Sequence, residues 1–189
     1  MKTKDYLIVA LAPLPVLLIA LLGNLLVDGW NWDAGSFVFA GVVIAGATFL
    51  YRLLATRAFA SLAYRLGAGL AIMAGFLVLW VTAAVQIIGE ENPANPLYCL
   101  ALLIGLIGVG VSRFRPQRLA RAAFATAGAL FLIPIIAVIL WPADFSPGVP
   151  QVFALNFAFV LMFAGAGLLF RHAARIAGST GSFPNGGPA

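Results

Sequence analysis

Charge in this chain comes in short clusters of alternating sign, set apart by long apolar stretches. Lys2 and Lys4 come first, with Asp5 beside them; then Asp28 and Asp33; then Arg52, Arg57 and Arg65; then Glu90 and Glu91. Arg113, Arg115, Arg118 and Arg121 follow, then Asp144, then Arg171 and Arg175. Chains threaded through a bilayer keep Lys and Arg on the cytoplasmic side of successive spans. The alternation therefore predicts a chain that crosses a membrane repeatedly. Its basic clusters lie on one side and its acidic clusters on the other, with Asp5 as the one exception.

Composition agrees with that solvent. Of 189 residues, 63% are hydrophobic and 9% are charged, where a soluble domain carries about 25% charged residues. Such a chain has too little charge to cover a water-facing surface. The net charge of +5 belongs to short loops beside apolar runs. It points to the anionic headgroups of membrane lipids on the cytoplasmic side as partners, not to nucleic acid. A single cysteine, Cys99, and a single histidine, His172, exclude an intrachain disulfide and a His/Cys metal cage. No cofactor and no metal centre is expected.

A spanning helix needs about 20 apolar residues, because each rises ~1.5 Å across a hydrocarbon core of ~30 Å. Six stretches qualify or come close: 6–27, 35–54, 66–88, 97–112, 119–140 and 152–170. The fourth is the shortest, and Arg113 and Arg115 would lengthen it by snorkelling. The predicted architecture is all-α: an integral membrane bundle of six transmembrane helices over residues 1–177, with both termini cytoplasmic. Residues 178–189, rich in Gly, Pro and Ser, read as a flexible tail.

Punctuation fits. Trp30, Trp32 and Trp141 mark the acidic rim, and Tyr6, Tyr51 and Tyr64 the basic one, as amphipathic rings settle at headgroup depth. Trp80 lies inside a span and reads as a packing residue. Asn95-Pro96 reads as an N-cap followed by the first helical position. Pro147 and Pro150 read as a stop before the last span. Pro13, Pro15 and Pro134 fall inside spans and predict kinks, tolerated where neighbours satisfy the freed carbonyls. Small residues such as Gly67, Ala71 and Gly75, or Gly105 and Gly108, let helices approach closely. Ala45–Arg52 and Ala164–Arg171 read alike, but the likeness does not extend upstream.

Function is less legible. No ionisable residue falls at mid-depth, where proton and ion pathways usually carry one. The strongly polar span residues Asn24, Gln86 and Asn156 lie toward the acidic ends of their helices. They either converge on one polar pocket, with Glu90 and Glu91 above it, or each bond a nearby carbonyl. The loop Gly89-Glu90-Glu91-Asn92-Pro93-Ala94-Asn95-Pro96 offers hard oxygen atoms of the kind calcium or magnesium takes; the alternative is a solvated acidic loop. On the other side Arg113, Arg115, Arg118 and Arg121 suit lipid phosphates or a partner's acidic surface, or only set orientation.

Three stretches resemble a family of small bacterial multi-pass membrane proteins with no assigned function. They are Asn31–Phe37, Val85–Asn95 and Arg113–Pro116. The resemblance implies a bacterial inner-membrane location and carries over no catalytic residue. Two functional expectations follow. One is a non-catalytic accessory or scaffold subunit of an inner-membrane assembly, or a homo-oligomer. The other is a channel or facilitator for a small solute, entered through an outward-facing polar vestibule.

Overall fold

Long apolar runs with no charge to solvate satisfy their backbone internally, and the helix is the local way to do so. The computed structural model describes residues 3–57, 60–89, 92–142 and 148–180, with the side chains of 179 and 180 excepted. All regular structure among the described residues is helical. Contacts group it into two compact units, Met1–Arg57 and Ala58–Ala189.

The first unit holds α1 (Thr3–Leu11), α2 (Leu14–Leu26) and α3 (Ala34–Ala55). The apolar run expected as one span is broken at Ala12 and Pro13. Pro13 has no N–H to give the preceding turn, while Pro15 sits in the first turn of α2, where a missing N–H costs nothing. Both pieces pack on α3. At one end the Arg52 guanidinium reaches Asp5 at 2.5 Å, which explains the one acid found among basic residues. At the other end the α2–α3 connection is tightly made. The Trp30 ring lies where a Cβ on Gly23 would be, 2.8 Å away, and Trp32 meets Phe37 edge-on at 5.6 Å. Asp33 caps α3 by accepting from the Ser36 N–H and hydroxyl, each at 2.7 Å.

The second unit holds α4 (Leu62–Val85), α5 (Pro96–Ser112), α6 (Pro116–Leu140) and α7 (Val149–Thr180). Its helices form a ring in which α4 packs on α7, α7 on α6, α6 on α5 and α5 on α4. Ser61 caps α4, accepting from the Tyr64 N–H at 3.3 Å. Close approach of α5 to α6 depends on small residues: a Cβ on Gly108 would collide with Ala122, and one on Gly105 would stand 2.8 Å from the Thr126 hydroxyl. Trp80, half-buried, stacks on Phe76 one turn back along α4 at 5.6 Å.

Among the described residues five helices are long and apolar enough to cross a membrane: Thr3–Leu26 taken together, α3, α4, α6 and α7. The sixth expected span, α5, has 17 residues and at ~1.5 Å per residue covers about 25 Å. Several helix limits differ from the expected ones. The helix expected over 66–88 starts at Leu62 and ends at Val85. Pro150 lies in the first turn of α7 and does not stop it, and α7 continues to Thr180. Pro134 lies inside α6, as expected, and the helix runs unbroken through it.

That continuity has a specific cause. Without an N–H, Pro134 leaves the Leu130 carbonyl, one turn back, with no intrahelical donor. Leu130 is fully buried, so water is not the remedy. Asn156 of α7 donates its Nδ2 to that carbonyl at 3.0 Å. A polar side chain in an apolar helix is thereby explained by a proline in its neighbour.

Candidate functional site

The two ends of the α4–α7 unit are built differently. At one end the α4–α5 loop folds back into the bundle. Gln86 leaves α4 with φ +50° and Gly89 follows with φ +126°, the second a conformation that glycine alone adopts cheaply. These two turns send Ile87 and Ile88 inward, where they join Val78, Tyr98, Leu130 and Phe159 in the core. Ile88 is fully buried, as is Ala94.

Asn95 staples this loop. Its Oδ1 accepts from the Ile88 N–H at 3.2 Å. Its Nδ2 faces three acceptors: the Gly89 carbonyl at 2.7 Å, the Gln86 Oε1 at 3.0 Å and the Asn92 carbonyl at 3.2 Å. Asn92 in turn accepts from the Ala94 N–H at 2.9 Å. The expected N-cap position is right, since Pro96 opens α5, but the expected capping bond is not made. Asn95 has helical backbone angles, φ −56° and ψ −40°, and a capping side chain needs an extended backbone to reach forward. Tight turns carry the entry to α5 instead, with the Leu97 N–H on the Ala94 carbonyl at 3.0 Å and the Tyr98 N–H on the Asn95 carbonyl at 3.1 Å.

Of the two readings for the three amides, a shared pocket or separate bonds to nearby groups, the hydrogen bonds fit the second: they engage three separate partners. Asn24, in the first unit, donates to the Trp32 carbonyl at 2.7 Å and accepts from the Trp32 N–H at 2.9 Å, closing the α2–α3 connection. Gln86 accepts from Asn95, and Asn156 donates to Leu130. The Asn156 Oδ1 and the Tyr98 hydroxyl are buried with no hydrogen-bond partner among the described residues. Glu90, Glu91 and Asp144 lie outside the described residues. Among those described, no three His, Cys, Asp or Glu side chains stand together as a metal site would require.

The opposite end is open and cationic. Here α5 turns into α6 through Arg113 and Phe114, both with positive φ, +49° and +63°. The Ser112 hydroxyl accepts from the Phe114 N–H at 3.0 Å, and the Tyr64 hydroxyl donates to the Phe114 carbonyl at 3.1 Å. Tyr64 is fully buried and meets Phe170 of α7 edge-on at 5.5 Å, so the turn is tied to both α4 and α7.

The structure divides the four arginines of this segment. All four are exposed, and Arg113, Arg115 and Arg118 stand around the turn. Arg121 lines a cleft of about 450 Å³ with Gln117, Arg171 and Arg175. Ala120, Phe124 and Ala174 form its apolar walls. The Phe124 ring lies over Gly167, where an added Cβ would stand 2.9 Å from it. That seam sets the antiparallel register bringing Gln117 and Arg121 of α6 opposite Arg175 and Arg171 of α7. The sequence reading did not include Gln117, Arg171 and Arg175 in a site. A signal existed, since each pair is four residues apart and so lies on one helix face.

Compared with family models, with curated proteins and with solved structures, the chain finds no match.

Proposed function

We propose that the chain is a bacterial inner-membrane protein that crosses the bilayer six times, with both termini cytoplasmic. In this reading it acts without catalysis, as an accessory or scaffold subunit of a membrane assembly or as a homo-oligomer. Membrane residence is supported by the apolar side chains that face outward. On α5 alone Leu103, Ile107 and Val111 are 50%, 63% and 69% exposed along one stripe, a surface that hydrocarbon solvates and water does not. Its 17 residues reach across with Arg113 and Arg115 snorkelling at the end.

One observation carries the structural reading over a solute conduit. The α4–α5 loop is packed into the mouth of its bundle, sealed by Ile87, Ile88 and Ala94 and stapled by Asn95. A vestibule would need those amides presented to solute; here they are spent on backbone and on each other. The test is purification in mild detergent followed by native mass spectrometry. A stoichiometric partner or a defined homo-oligomer is expected. A lone monomer throughout, together with solute flux in proteoliposomes that Gln86→Ala changes, would replace this reading with the conduit.

A further inference from the structure

We propose that the α6–α7 cleft is a binding site for the phosphate headgroup of an anionic phospholipid. The inference rests on the membrane reading above but not on the accessory or oligomeric role. Three arginines, Arg121, Arg171 and Arg175, line one space of about 450 Å³, and among the described residues no Asp or Glu lines it. In the whole of 58–189 the only acids are Glu90, Glu91 and Asp144, none within 20 residues of these arginines on the α6 or α7 sequence. Guanidinium forks match phosphate oxygens in pairs and bring fixed geometry as well as charge. Gln117 adds an amide that can donate to a phosphate or glycerol oxygen.

The position of the cleft selects a lipid over a soluble phosphate. Below the arginines the same helix faces turn apolar at once. On α7, Leu168 lies one turn beneath Arg171 and is 59% exposed. On α6, the Arg121 face continues through Ala125 and Gly128, both exposed, to Leu132 at 52% exposure. Phe124 is among the apolar residues lining the cleft. A headgroup held by the guanidiniums therefore has hydrocarbon-facing walls for its acyl chains. A soluble phosphate would make no use of them.

The full-length protein in a nonionic detergent is titrated with dioleoyl phosphatidylglycerol and with dioleoyl phosphatidylcholine, and bound lipid is counted by native mass spectrometry. Phosphatidylglycerol is expected to bind in preference to phosphatidylcholine. A basic residue near an anionic surface is worth roughly fivefold in binding, so R121Q/R171Q/R175Q should weaken phosphatidylglycerol by about a hundredfold. R113Q/R115Q/R118Q removes the same charge from outside the cleft and should cost no more than about fivefold in all. Ala174→Phe keeps every charge and fills the space, so it should weaken binding too. It serves as the test if the triple variant fails to fold. Equal losses in the two triple variants would overturn the proposal, as would equal binding of the two lipids. Displacement of the lipid by an equal concentration of glycerol 3-phosphate would overturn it in favour of a soluble phosphate. A monomer that still binds phosphatidylglycerol selectively would keep this inference and remove the oligomeric one.

Discussion

The pairing of Pro134 with Asn156 gives the sharpest test of how the α4–α7 unit is held. Replacing Asn156 by Leu keeps the branched shape but removes the donor to the Leu130 carbonyl, which Pro134 cannot supply. A buried carbonyl left unpaired costs about 1–3 kcal/mol. Interhelical hydrogen bonds in membrane proteins usually measure lower, about 0.6 and at most about 1.7 kcal/mol. Leucine also removes the buried Asn156 Oδ1, which has no partner among the described residues, so the expected net loss for N156L is at most about 1 kcal/mol. Replacing Pro134 by Ala restores an N–H one turn after Leu130, so the carbonyl regains an intrahelical donor. In that background N156L should cost little. The double-mutant cycle, read by SDS or thermal unfolding in micelles, should give a coupling of about 1 kcal/mol. Distant, independent sites add to within about 0.3–0.5 kcal/mol. A coupling inside that margin would refute the idea that Asn156 serves the carbonyl freed by the proline.

Four further outcomes follow from the same contacts. Asn95→Ala removes the loop staple and should lower stability by about 3 kcal/mol, one per bond its amide can fully make; N95D should be no better at neutral pH, because its carboxylate would face three acceptors, and should recover as acid protonates it. Tyr98→Phe removes a buried hydroxyl without a partner among the described residues and should leave the stability unchanged or raise it by up to about 1 kcal/mol, and a clear loss would reveal a partner. Gly108→Ala forces a methyl onto Ala122 and should cost about 1–3 kcal/mol, whereas Gly110→Ala, with nothing within 4 Å of the new atom, should not destabilise. Bonds from Ser36 hold the Asp33 carboxyl below its ordinary pKa; the cap is thus complete above the unfolded-state value and is lost as pH falls through the folded one, so Ser36 amide exchange, corrected for intrinsic rate, should accelerate only in acid, and in D33A at every pH.

Hydropathy and charge made the helices legible because hydrocarbon thickness imposes a minimum length and headgroups sort charge. The limits of the helices were less legible. Ile87 and Ile88 read as the end of a span because they are apolar, but the positive φ at Gln86 turns them into the loop, and that turn is held by a residue nine positions on. Asn95 stands at the N-cap position that Pro96 marks but makes no capping bond, since local sequence does not report that its backbone is helical. The break at Pro13 and the unbroken helix at Pro134 show the same residue type with opposite results. The difference lies in Asn156, on another helix, which no local pattern connects to Pro134. The arginine cleft is hidden for a related reason: the four-residue spacings are visible, but the register that makes Arg121 face Arg171 depends on Phe124 lying over Gly167.

The contrast between the two ends of the α4–α7 unit bears on where recognition can occur. At the loop end the described polar groups are largely consumed: Asn95, Asn92 and Gln86 bond one another and the loop backbone, and the apolar side chains beside them are buried. A surface whose donors and acceptors are already paired has little to exchange for a ligand, because each new bond must first break an old one. At the other end Arg121, Arg171 and Arg175 share a cleft. No described carboxylate lines that space, so an incoming phosphate gains attraction without displacing an ion pair made there. Binding chemistry in this unit should therefore concentrate at the arginine end. Substitutions at the loop should be felt first as lost stability, and substitutions in the cleft first as lost binding.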